Sequence, residues 1–149
     1  MKVLLLIAAV CLASVYGKSV HFKDCGSKGG QIQQVIITPC DKEPCTFKRG
    51  DTVSVEVDFQ ASVKSANATF QASAVIFGET IPLALPQPDA CELPNTKCPL
   101  TPGTKYEPTE QVQVPQDVPP IFIPFPLQVQ LIGDNSLVLL CGEINVKIQ

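Results

Sequence analysis

Histidine occurs once in the 149 residues, at His21. A Ser-His-Asp or Cys-His site would have to be built on it. An ordinary, partly exposed strand residue is the simpler reading. There is no P-loop, no dinucleotide glycine pattern and no His-Glu metal motif. No catalytic residue, metal site or cofactor is therefore expected. Basic residues are outnumbered 11 to 14, for a net charge of −3 and a pI of about 5.0. That balance excludes the basic stripe a nucleic-acid partner requires, and a purely electrostatic grip on anionic membrane. Past residue 17, proline or charge interrupts every apolar stretch, so no bilayer-spanning segment is expected. No helical period persists over about ten residues either.

The paired carboxylates Glu56 and Asp58 fall on the polar side of an alternating segment, where a solvated face explains them. Asp134 belongs to a turn, where its side chain can cap its own backbone.

What is present begins with an apolar run from Val3 to Ala13 behind Lys2, followed by short residues from Ser14 to Gly17. Val15 and Gly17 suit the −3 and −1 positions of a cleavage site. Residues 1–17 are expected to be a secretory signal, leaving a domain over 18–149. Of seven cysteines, Cys11 lies in the signal and six remain: 25, 40, 45, 91, 98 and 141. An even count in an exported chain implies disulfides, with about 15 possible connectivities. Two pairs are close in sequence. Pairing each locally would leave Cys25 for Cys141. Asn67-Ala68-Thr69 is an N-glycosylation acceptor, placing a candidate glycan on Asn67.

The cleanest strand has Val53, Val55, Val57 and Phe59 on one side, with Thr52, Ser54, Glu56 and Asp58 on the other. Thr69–Phe77 repeats this more weakly, with the small Ala72 and Ala74 between Phe70 and Ile76. Those alanines leave room for a facing side chain or a ligand. Turn signals separate about seven such segments. The fold class expected is all-β: an immunoglobulin-like β-sandwich of two antiparallel sheets.

Gln111–Leu131 organises the rest. It is apolar, carries a single charge at Asp117, and holds prolines at 115, 119, 120, 124 and 126. Proline cannot donate to a ladder, so no central strand is expected here. The stretch reads as rim strands joined by an apolar turn at the mouth of a cavity. Ile81–Pro88 is similar in kind. With apolar residues at 45% and charged residues at 17%, two proline-broken runs at strand ends suit a sandwich whose sheets splay around an apolar slot.

The segment Val20-His21-Phe22-Lys23-Asp24-Cys25-Gly26 closely resembles the mature start of the Niemann–Pick type C2 sterol-transfer proteins. The Pro39-Cys40 to Cys45 staple, Pro88-Asp89-Ala90-Cys91, Lys97-Cys98-Pro99-Leu100 and Leu140-Cys141-Gly142-Glu143-Ile144 continue the match. The same set is similar to the dust-mite group 2 allergens, which share this ML lipid-recognition domain. The resemblance implies disulfides Cys25–Cys141, Cys40–Cys45 and Cys91–Cys98, and a lipid cavity between the sheets. It maps the pocket mouth onto Leu83, Val114, Val118 and Pro119, and lipid-contacting positions are expected also at Ile121, Phe59, Phe70 and Leu127.

Cholesterol-carrying members have aromatics where this chain has Leu83 and Val118, and tryptophan where it has Leu127. Aliphatic replacements make a more deformable slot that also suits a fatty acid. Two functions follow. The first is a secreted or lysosomal monomer that binds a sterol and releases it at a membrane or an acceptor protein. The second is an extracellular recognition module or carrier for fatty acids, microbial lipids or other hydrophobic cues.

Overall fold

Alternation of apolar and polar side chains gives a strand one dry and one wet face, and two sheets are built on that rule. The computed structural model describes residues 17–119 and 121–149. The signal expected over residues 1–17 lies, Gly17 apart, outside them. Among the described residues eleven strands form in chain order. They are β1 (Lys18–Val20), β2 (Lys23–Asp24), β3 (Gly30–Thr38), β4 (Cys45–Phe47), β5 (Thr52–Ala61) and β6 (Thr69–Ile76). Then come β7 (Glu79–Leu83), β8 (Lys105–Tyr106), β9 (Thr109–Gln113), β10 (Ile121–Ile132) and β11 (Val138–Ile148). Seven have five residues or more, and the other four are short edge pieces.

One sheet runs β1-β3-β5, with β8 and β9 each pairing β5. The other runs β2-β11-β10-β6-β7, with β4 added beside β11. All pairings are antiparallel except β4 with β11. The buried core includes Ile37, Phe59, Leu100, Leu131, Leu139 and Leu140, each at most 2% exposed. Among the described residues no helix is long and apolar enough to cross a membrane.

The pairings Cys25–Cys141, Cys40–Cys45 and Cys91–Cys98 are all formed. The first joins residues 116 apart in sequence, with a Cα–Cα distance of 4.9 Å. His21 stands exposed, its Nδ1 2.6 Å from the Glu43 carboxylate, so the N-terminal segment is tied to the Cys40–Cys45 turn.

Two expectations need correction. Gln111–Leu131 does contain central strand, because Leu127–Leu131 is paired with β6 on one side and β11 on the other. Pairing with β6 begins only at Leu127, opposite Ala74. Pro124 and Pro126 precede that point, and the β11 register shifts between Ile121 and Phe125. Both prolines therefore sit where β10 has no β6 neighbour, and a missing N–H costs no bond on that side. Asp134, in the β10–β11 turn, does not cap its own backbone; its carboxylate accepts from the Ala66–Asn67 loop.

Candidate functional site

The sandwich is packed in one half and hollow in the other. In the packed half, Phe59 and Tyr106 pack with ring centroids 5.4 Å apart and planes tilted by 30°, and Leu131 and Leu139 are fully buried. In the hollow half, β5 offers valines and β6 offers Ala72 and Ala74. Sheets pack roughly 10 Å apart. Short side chains from facing strands do not fill that separation, and a cavity of about 1090 Å³ remains. Small-molecule sites occupy roughly 300–1,000 Å³, so this is a large one. One wall comes from Val53, Val55 and Val57 with Val112 of β9 and Val114 just past it. The other comes from Phe70, Ala72 and Ala74 of β6 with Leu127 and Val129 of β10.

The rim is built by the chain's two proline-broken runs. After β9 the backbone leaves one sheet, crosses through Pro115–Pro119, and enters the other sheet at Ile121. Gly50 and Asp51 bracket Val114 with two backbone hydrogen bonds of 2.8 Å, which fixes where the crossing begins. On the other side, Phe77-Gly78 forms the two-residue turn between β6 and β7, both with positive φ. Such a turn favours Asn-Gly, and Phe at φ 51° is a costly choice. Phe77 is 85% exposed, Phe122 75% and Ile123 60%, and all three line the cavity mouth.

Among the described residues lining the cavity, Glu110 is the one titratable side chain. It is 7% exposed and shares the inward side of β9 with Val112. Its Oε1 accepts from the Gln87 N–H at 3.0 Å, while Oε2 is buried without a partner. Burial pushes the carboxyl above its ordinary range, and the Gln87 N–H opposes that in part. Sequence reasoning missed Glu110. Its parity with Val112 and Val114 in Thr109–Val114 is the signal that marks it, an acid at an apolar position of an alternating strand.

Leu83, Val114, Val118, Pro119, Ile121, Phe70 and Leu127 all line the cavity. Phe59 does not: at 1% exposed it belongs to the packed half, against Tyr106. The alternation that puts Phe59 in register with the β5 valines does not reveal where along the strand the sheets close. Asn67 and Thr69 are both exposed.

Glu56 and Asp58 face outward as expected, but Asp58 is not an ordinary solvated carboxylate. Burial first, and the neighbouring Glu56 second, push its carboxyl up to about 6. Its Oδ1 is buried without a partner, and Glu107 brings a third carboxylate within 4.8 Å of the pair.

The profile of the ML domain matches residues 19–148. The NPC intracellular cholesterol transporter 2 of Canis lupus familiaris is 32% identical over 149 residues, covering 97% of this chain and 98% of that protein. Mite group 2 allergen Lep d 2 of Lepidoglyphus destructor is 30% identical, covering 100% of this chain and 99% of the allergen. The crystal structure of a Niemann-Pick type C2 protein from Japanese carpenter ant superposes with a TM-score of 0.78 at 26% identity, covering 87% of this chain and all of that one.

Proposed function

The chain belongs to the ML-domain family, a family of lipid-binding proteins and not of enzymes, and from that premise we propose that it carries a sterol or comparable lipid and hands it on. The observation behind this reading is the apolar cavity of about 1090 Å³, open at a rim of exposed Phe77, Phe122 and Ile123. Burying about 400 Å² of ligand apolar surface contributes roughly 10 kcal/mol gross. The costs of association reduce this, and micromolar or tighter affinity remains. The mechanism involves no covalent step. The cavity shields the ligand from water, and the ligand leaves when the rim meets a membrane or an acceptor protein.

Exposed aromatic and aliphatic side chains around a cavity mouth suit brief contact with a lipid surface. The net charge of −3 gives no electrostatic hold on anionic membrane, which favours brief visits. The protein acts as a secreted or lysosomal monomer, with residues 1–17 as its signal and 18–149 as a lipid-recognition domain. The exposure of Asn67 supports a glycan there.

Aliphatic Leu83, Val118 and Leu127 at the lining favour a second reading, in which the cargo is a single-chain lipid or another hydrophobic cue. Native mass spectrometry of the secreted protein, followed by organic extraction, separates the two. A co-purifying sterol supports the transfer protein, and a fatty acid supports the carrier of cues. No bound lipid, together with no uptake of a fluorescent sterol or fatty acid, overturns both.

A further inference from the structure

Glu110 is out of place on its wall. Val112, two residues on, shares its side of β9, Val114 just past the strand also lines the cavity, and Val55 lies opposite on β5. A carboxyl there is held by one bond only. Oε1 accepts from Gln87 N–H, which keeps the segment after β7 against β9. Oε2 has no such duty, yet it is buried, unpartnered and part of a 7% exposed residue. Buried polar atoms in folded proteins are nearly all paired, so an orphan on a residue of the cavity wall calls for a partner, which a ligand supplies once a small turn of the Glu110 side chain brings Oε2 to the opening.

We propose that Glu110 Oε2 is the hydrogen-bonding anchor of the cavity, and that it selects ligands carrying a hydroxyl on an apolar body. The proposal rests on reading the cavity as a lipid site, and within that reading it names the class: a neutral sterol or long-chain alcohol. A hydroxyl pairs with Glu110 in either protonation state, since the carboxylate accepts its O–H and the acid donates to its oxygen. A hydrocarbon leaves Oε2 unpaired. An ionised fatty acid sets a second carboxylate beside the first, and one of the two must take up a proton before it settles there. The wall itself offers no other titratable group among the described residues.

The test is displacement of bound N-phenylnaphthylamine by hexadecanol, chlorohexadecane and hexadecanoate near neutral pH. Hexadecanol is expected to bind about tenfold tighter than chlorohexadecane, the ratio one buried hydrogen bond produces. Glu110→Gln keeps an acceptor for Gln87 and a polar group toward the cavity, so it retains the preference. Glu110→Leu brings the ratio to about one. A residue that merely clamped the Gln87 segment would shift both ligands together and leave the ratio alone. Equal affinity of the wild-type protein for hexadecanol and chlorohexadecane overturns the anchor while leaving the lipid cavity standing, whatever the variants do. Survival of the preference in folded Glu110→Leu overturns it as well. A wild-type protein that binds neither the probe nor any of the three ligands overturns the lipid reading and the anchor with it.

Discussion

The carboxylate of Asp134 accepts hydrogen bonds from both the backbone N–H and the side-chain amide of Asn67, at 3.1 and 3.3 Å. A third bond comes from Ala66 N–H at 2.8 Å. A turn between the last two long strands thus holds a loop 67 residues earlier. These donors keep the Asp134 carboxyl below its ordinary value of 3.8. A depressed acid contributes stability above its unfolded value and loses it as pH falls through the folded one. Asp134→Ala is therefore expected to lower Tm at neutral pH, with the difference from wild type closing below about pH 4. Calorimetry across that range is the check. A constant difference down to about pH 2 contradicts the assignment.

Asp58 behaves in the opposite sense. Its carboxyl is raised from 3.8 to about 6, so its ionised form is disfavoured by the fold. That penalty is present above about 6 and relieved as pH falls toward 3.8. Asp58→Asn is expected to raise Tm near pH 7.5 and to change it little near pH 4, as read by thermal melts at both values (roughly bracketing the two pKa values).

Filling the hollow half tests the cavity directly. Ala72 faces it, paired with Leu83 on one side and Val129 on the other. Ala72→Phe puts a ring into existing space, so Tm stays level or rises while affinity for a fluorescent lipid falls about tenfold or more. Val114→Asp abolishes lipid uptake by placing a charge on the apolar wall, with far-UV circular dichroism unchanged.

The packed half answers differently. Phe59→Ala removes a ring stacked on Tyr106 and is expected to cost about 3–5 kcal/mol in urea unfolding. Lipid affinity of the folded fraction changes far less than in Ala72→Phe. An affinity loss equal to that of Ala72→Phe would return Phe59 to the lining.

Cys25–Cys141 closes a loop spanning almost the whole domain. Replacing both cysteines with serine is expected to cost about 4–5 kcal/mol in the chain-entropy model. Loss of Cys40–Cys45, which closes five residues, costs less. Denaturant titrations of the two double mutants rank them.

Most of the fold was legible because its signals are local. The two-residue period of Thr52–Phe59, the turn around Asp134 and the cysteine spacings each depend on neighbours in the chain. The cavity's rim was legible for a related reason, since proline-broken apolar runs can neither pair fully nor dissolve. Tertiary structure alone decided the rest. Phe59 and Val57 carry the same pattern on one strand, yet one meets Tyr106 and the other meets empty space. Pro126 and Leu127 are adjacent, yet only from Leu127 onward does β6 lie alongside. Glu110 keeps the apolar parity of Val112 along the chain, yet only the packing of β9 shows that this acid is buried at the cavity wall. Strand character is set by alternation along the chain, whereas the gap between sheets depends on which side chains from distant segments meet across it. Sequence determined the sandwich, and the packing of its two faces decided where it is hollow.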